Sequence, residues 1–294
     1  MGGRPISEKE RSEIIVRYTG GESTRIIGTS MGRGNETVRQ VLIDGNVTRK
    51  STGNPYGYRK YTIDHDFFKN IDTSSKAYWL GFIAADGHVI ENEGLTIGLM
   101  ASDIGHLEKI KLAIQSNSPI KSIEVTKAVR INIYSKTMAM ALTSHGFFHN
   151  KSNTLLFPAI SEIFYKEFLR GLLDGDGCIS GIKKDLRVAF SGTRSIIENV
   201  RKIMIDKAYA SCTKIQEGAN GFCVIQWGGR RQSLRIMDWL YDGADDFLDR
   251  KYNKYIKERD FALRDMVNDF RVKNMDISDI DLQYAYYIKK PIIL

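Results

Sequence analysis

The segment Tyr78-Trp79-Leu80-Gly81-Phe82-Ile83-Ala84-Ala85-Asp86-Gly87 returns 90 residues later as Phe168-Leu169-Arg170-Gly171-Leu172-Leu173-Asp174-Gly175-Asp176-Gly177. A repeat at fixed spacing constrains the fold before any other feature, because one supersecondary unit must be built twice. The offset persists downstream. Leu95-Thr96-Ile97-Gly98-Leu99 and Leu186-Arg187-Val188-Ala189-Phe190 share a period of two, one residue out of register, as half-buried strands do. The helix bearing Leu107, Ile110 and Ile114 matches Ile197, Val200 and Met204 at an offset of 90 again. Each copy therefore reads helix, strands, helix, strands, helix. The expected class is α+β, a duplicated αββαββα core. One half is not expected to stand alone, and the two pack as a pseudo-dimer.

In each repeated helix a small residue recurs four positions on, Gly81 with Ala85 and Gly171 with Gly175, which places both on one face. Without bulk there, two helices approach more closely than the usual ~8–10 Å, so the duplicated helices are expected to pack on one another. Each ends in Asp then Gly, and the glycine suits a left-handed helix cap. A carboxylate at a helix C-terminus opposes the macrodipole by roughly 0.3–1 kcal/mol. Paired helices would bring Asp86 and Asp176 face to face, which is tolerable only with positive charge between them. Oxygen-only ligands favour a hard cation such as Mg²⁺, which keeps waters and binds phosphates.

The two segments resemble the LAGLIDADG motif of homing endonucleases, and the resemblance extends over about residues 64 to 258. Gly146 to Pro158, with Lys151-Ser152 before Leu155-Leu156-Phe157-Pro158, is similar to the close of the family's first repeat. Trp239-Leu240-Tyr241-Asp242-Gly243-Ala244 followed by Arg250-Lys251-Tyr252 is similar to the close of the second. The resemblance implies that Asp86 and Asp176, with the carbonyls of Ala85 and Gly175, hold the metals. The motif's earlier acid is Asp174 in the second copy and Ala84 in the first, a position that is not the usual metal ligand. Lys151 and Lys251 fall where the family places a basic residue beside the scissile phosphates, and Asp103 and Arg194 where some members position water. It further implies Mg²⁺, with Mn²⁺ substituting and Ca²⁺ bound without cleavage. The product would be a staggered break across the minor groove of a long double-stranded DNA site, with 3′ overhangs, made by a monomer acting as a pseudo-dimer. Curved antiparallel sheets would read the major groove. In Val129-Arg130-Ile131-Asn132-Ile133-Tyr134 the polar residues Arg130, Asn132 and Tyr134 share one face, and Arg187, Lys214, Gln216 and Gln226 are the candidates of the second half.

Ahead of the duplication, Ser7 followed by Glu8 and Glu10, then Ile14, Ile15 and Tyr18 before Gly20-Gly21, predicts a helix over 7–19. A second is expected over Ser23 to Met31. After Gly32-Arg33-Gly34, a third is expected to be capped by Asn35, with Val38, Val41 and Leu42 inward. Asn35, Glu36, Thr37, Arg39 and Gln40 would face outward. The arrangement resembles the helix-turn-helix of site-specific recombinases, departing from it at Gly28, where alanine is usual, and in its glycine-rich turn. The alternative is a small bundle with a solvated face.

The net charge is +8, and residues 1–62 hold 11 basic against 6 acidic side chains, a surface suited to a polyanion. Residues 45–63 have no acid and carry Arg49, Lys50, Arg59 and Lys60, which reads as a basic tether or a solvated linker. Phe247 to Lys273 reads as a basic helical run able to meet phosphates in its first turns. The expected organisation is a helix-turn-helix domain over 1–45, a linker over 46–63, repeats over 64–160 and 161–270, and a tail over 271–294. Cys178, Cys212 and Cys223 have neither the number nor the spacing of a zinc cluster or disulfide framework and are expected to be buried thiols. No segment resembles a membrane span or signal peptide. A cytosolic protein of a bacterial or phage-infected cell, or an organelle, is expected. An intein would need a nucleophile at its start and a terminal His-Asn pair, so a free-standing or intron-encoded protein is expected instead. The competing reading is a regulator or RNA-binding maturase that keeps the fold without cutting.

Overall fold

A computed structural model describes residues 5–47, 61–148, 154–218 and 221–272. The chain divides into two compact units, Met1–Lys60 and Tyr61–Leu294.

The first unit contains helices α1 (Glu8–Thr19), α2 (Thr24–Ser30) and α3 (Asn35–Asp44). Ser7 and Glu10 cap α1 reciprocally: the Ser7 hydroxyl accepts from the Glu10 amide at 3.2 Å, and the Glu10 carboxylate accepts from the Ser7 amide at 3.0 Å. Ile14, Tyr18, Ile27, Val38, Val41 and Leu42 make one buried cluster. Gly34, not Asn35, caps α3, and Asn35 is its first helical residue. Gly34 offers no side-chain acceptor, so backbone conformation alone starts this helix. Gly28 stands in place of the usual alanine because a Cβ there would lie 2.9 Å from the Arg33 carbonyl oxygen, inside the turn that leads to α3. Residues 5–47 hold six basic and six acidic side chains, and all six acids are ion-paired within the unit. The basic surplus of residues 1–62 thus comes from Arg4, Arg49, Lys50, Arg59 and Lys60, all outside the described residues.

The second unit contains the duplication. Its first half runs α4 (Ser74–Asp86), β1 (Gly87–Ile90), β2 (Gly94–Met100), α5 (Ile104–Ala113), β3 (Ile120–Ile123), β4 (Ala128–Tyr134) and α6 (Lys136–Ser144). The second runs α7 (Tyr165–Gly175), β5 (Cys178–Ser180), β6 (Arg187–Thr193), α8 (Arg194–Ala208), β7 (Gln216–Glu217), β8 (Phe222–Gly228) and α9 (Arg230–Tyr241), followed by α10 (Asp249–Val272). Each half forms an antiparallel four-stranded sheet, ordered β1-β2-β4-β3 and β5-β6-β8-β7. Alternation decides the faces: Val129, Ile131 and Ile133 point inward from β4, and Cys223, Ile225 and Trp227 from β8. Leu95, Ile97, Val188 and Phe190 join them in one core cluster that draws on both halves. Neither half holds a separate core of its own.

Helix α4 is buried from Ala77 to Ala84, and α7 from Phe168 to Asp174. Such all-round burial belongs to helices packed on every side. A Cβ on Gly81 would overlap the Phe168 carbonyl, and one on Gly171 would overlap the Tyr78 carbonyl. The second contact is the first with 90 subtracted from one partner and added to the other, so the crossing obeys the pseudo-twofold of the sequence. Backbone meets backbone at this seam, as the small residues predicted. The expected left-handed caps are not found. Gly87 is extended, at φ −82° and ψ 142°, and Gly177 is not among the positive-φ glycines. Both are glycines because a Cβ would strike the last turn of their own helix, at Ile83 and Leu173 respectively.

Candidate active site

The seam carries the two motif acids to one end of the crossing. Asp86 is the last residue of α4, with β1 starting at the next position, while Asp176 caps α7. Asp86 is half-buried and Asp176 exposed. Ala85 and Gly175, equivalent under the repeat, lie against each other, and Asp86 Oδ2 is 3.2 Å from where a Cβ on Gly175 would stand. The Asp86 carboxylate thus reaches across the pseudo-dyad to the residue before Asp176. On the other side, the Asp176 carbonyl accepts from Ser191 Oγ at 2.8 Å, tying the α7 terminus to β6.

Lys251, at the start of α10, is 4 % exposed. Its ammonium donates to the carbonyls of Leu173, Asp174, Gly175 and Gly177, at 2.5, 2.8, 3.2 and 2.6 Å. The positive charge expected at the end of α7 is therefore supplied in part by a lysine, which satisfies the orphan carbonyls and opposes the helix dipole. Burial pulls the Lys251 pKa down to about 8, against the attraction of Asp174 and Asp86. Its ammonium faces the helix end, and the Gly175 carbonyl is its longest contact. Lys251 also borders a 260 Å³ recess lined with Gly177, Cys178, Ile179, Arg250 and Lys254, so basic groups gather beside Asp176. Lys151 lies outside the described residues, as do Arg49, Lys50, Arg59 and Lys60. Asp103 accepts from Arg250 Nε at 2.9 Å, and Arg194 pairs with Glu198 and Glu217, so both are engaged in ion pairs.

Asp174 differs in kind from Asp176. It is fully buried and accepts from Tyr241 Oη at 2.5 Å, from Tyr78 Oη at 2.8 Å and from the Leu248 amide at 2.8 Å. Burial pushes its carboxyl up, although these three donors pull the other way. Arg170, one turn earlier, is also buried and donates to the carbonyls of Asp246 and Leu240, each at 2.8 Å. The sequence marks Asp174 only as a motif acid and does not by itself reveal the buried pair. Its signal was that Arg170 and Asp174 sit four apart where the first copy has Leu80 and Ala84.

The outer sheet faces carry the expected residues. Arg130 and Tyr134 are exposed and Asn132 half-buried on β4. On the second sheet Arg187, Gln216 and Gln226 are exposed, with Lys214 exposed just before β7. Register adds residues that were missed: His88 pairs with Thr96, Thr96 with Asn132, and Lys121 with Arg130. His88 follows Asp86 by two residues, so the outer face begins at the acid itself. Period two through Gly87-His88-Val89 and Ile120-Lys121-Ser122 was the available signal. Thiols occupy the surface as well: Cys178 and Cys212 are exposed and only Cys223 is buried. For the first two the burial expectation is corrected, because both lie at outward positions, Cys178 on β5.

In the helical unit Asn35, Glu36 and Gln40 are exposed on α3, with Thr37 and Arg39 half-buried. Arg39 turns to Glu36 at 3.4 Å, and Gln40 Nε2 donates to Asp44 at 2.9 Å. Solvent-exposed pairs of this type are weak, so either side chain can be drawn away by a better partner.

The seam fits a hard divalent cation by its donor chemistry: two carboxylates and backbone carbonyls, all oxygen, with a glycine leaving room beside Asp86 Oδ2. No group of three or more His, Cys, Asp or Glu is gathered to hold an ion among the described residues. Two carboxylates alone would leave positions for water and phosphate oxygens. Among the described residues, no helix is long and apolar enough to cross a membrane.

No family model matches the chain, and no curated protein matches its sequence. Among solved structures it is similar to the meganuclease I-SmaMI bound to uncleaveable DNA, at 13% identity and a TM-score of 0.48, covering 68% of this chain and 97% of that one. It is also similar to the LAGLIDADG meganuclease I-AabMI bound to uncleaved DNA, at 14% identity and TM-score 0.45, covering 68% and 98%. The LAGLIDADG homing endonuclease I-LtrWI bound to target DNA follows at 12% and 0.44, covering 69% and 91%. Likeness of this order assigns no activity to the present chain.

Proposed function

We propose that this chain is a LAGLIDADG-type homing endonuclease, which hydrolyses one phosphodiester in each strand of a long double-stranded DNA site. The observation that supports it most is the seam, where Ala85 meets Gly175 and the two motif acids lie at one end of a backbone-tight crossing. A pseudo-dyad between two acids suits a substrate whose own strands are related by a dyad.

Asp86 and Asp176, with the carbonyls of Ala85 and Gly175, would hold divalent cations; Mg²⁺ is the proposed ion, with Mn²⁺ able to replace it. Such cations lower the pKa of bound water and stabilise charge on the phosphate and the departing oxygen. The chain's own residues supply the placement. Asp86 and Asp176 set where the cations would sit near the dyad. The outer rows built on Arg130, Asn132, Arg187 and Gln226 present donors and acceptors to base edges. Lys151, by resemblance, would add positive charge where the phosphates would lie, while Arg250 and Lys254, which line the recess at Gly177, are paired with Asp103 and Glu258. The exposed face of α3 would add contacts of its own.

The test is cleavage of a randomised or genomic DNA library in Mg²⁺, with Ca²⁺ as the control expected to allow binding without cutting. Asp86→Asn and Asp176→Asn should each abolish double-strand cleavage while leaving affinity for the selected site within a few-fold, since the sheets make most contacts. Full double-strand cutting by either variant contradicts the assignment. Tight site binding with no cleavage by the unsubstituted chain would instead support a recognition-only protein.

A further inference from the structure

The two half-sites are built differently. On α7 the buried pair Arg170 and Asp174 faces the segment 240–251, whereas α4 has Leu80 and Ala84 at the matching positions. Arg170 holds the Leu240 and Asp246 carbonyls. Asp174 holds the Tyr241 hydroxyl and the Leu248 amide, and also the Tyr78 hydroxyl of α4. Lys251 then returns from α10 to the carbonyls of Leu173, Asp174, Gly175 and Gly177. The segment is thereby stapled to α7 at both ends, and the turn that bears Asp176 is clamped between Lys251 and Ser191. The first motif helix cannot make an equivalent staple from position 84, where it has alanine.

We propose that Tyr241, held by Asp174, is a positioning residue for the Asp176 half-site more than for the Asp86 half-site, so that the two DNA strands depend on it unequally. The inference rests on the cleavage reading above. Neither residue need touch DNA. Asp174 anchors the amide at Leu248 and the hydroxyl at Tyr241, these place the start of α10, and Lys251 from that start orients the carbonyls around Asp176. Groups that orient the ligands of a metal site typically cost roughly 10–100-fold in activity when removed. Here that loss falls mainly on one strand.

The experiment is single-turnover cleavage of the selected duplex in Mg²⁺, with the two strands carrying different end labels. Tyr241→Phe keeps the ring stacked on Tyr255, at 5.6 Å between centroids, and removes only the hydroxyl. It should slow one strand about tenfold and leave the other within twofold. Asp174→Asn should slow the same strand more than the other, with part of its effect reaching the Asp86 half through Tyr78. A loss of folded protein would lower the amplitude on both strands together and leave the ratio of their rates unchanged, so the ratio separates positioning from stability. Equal slowing of both strands, or no slowing of either, overturns the proposal. Failure of the unsubstituted chain to cut either strand removes the proposed function and this inference with it.

Discussion

Arg130 and Arg187 each stand opposite a glycine across a strand pair, Gly98 and Gly228 respectively. With no side chain on that neighbour, the guanidinium has room to reach outward, and its planar fork matches the two acceptors of guanine in the major groove. Arg130→Ala and Arg187→Ala should each relax the target at one base pair, in opposite halves of the site, at roughly 1–3 kcal/mol per position. Sequencing of the selected targets reads this directly, and unchanged preferences with either variant would remove that arginine from the reading face. These residues were legible because alternation in a strand fixes the face of every second side chain. The motif acids were legible because they occur twice in the same setting. Lys251 was legible in position but not in direction: a matched spacing places the residue near the helix end and cannot say whether its ammonium turns to solvent or to four carbonyls. The same limit explains Cys178 and Cys212, whose exposure depends on which strand neighbours them.

At the scale of elements, the α4–α7 crossing has least tolerance for added volume. Gly171→Ala would drive a methyl group into the Tyr78 carbonyl and the Phe82 amide, where only backbone movement makes room. A loss of about 1–3 kcal/mol or more is expected from overpacking, read as a lower urea midpoint. Gly105→Ala is the matched control, since nothing lies within 4 Å of a Cβ there, and it should be neutral or stabilising within α5. If both substitutions behave alike, the seam is not close-packed. The helices and main strands follow from local pattern: reciprocal capping at Ser7 and Glu10, alternation in β4 and β8, and full burial where two motif helices meet. Local pattern failed where the cause was tertiary. Gly87 and Gly177 look like helix-stop glycines and are in fact spacers against Ile83 and Leu173. The stapling of 240–251 to α7 depends on contacts more than 65 residues apart in sequence, which no short window contains.

For the whole molecule, charge is partitioned. The described helical unit is neutral and its acids are already paired, so it carries little of the pull that releases counterions from DNA. Lys9 and Arg25 are its basic side chains outside those pairs. Deleting residues 1–47, which also removes Arg4, should therefore lower affinity for the selected site while changing the slope of log K against log salt by no more than about three phosphate equivalents. A larger change would mean that the unit binds mainly through charge and not through base edges. The overall plan was the most legible level of all, because duplication dictates architecture without reference to any single contact.

The crossing at Gly81 and Gly171 has one more consequence. Because main chain abuts main chain there, the separation of the two acids is set by atoms that no substitution on the sheets can alter. Under the proposed function, recognition can then drift toward new targets, one outward side chain at a time, without disturbing the chemistry at the centre. The spacing of the two acids then stays fixed while the outward rows change.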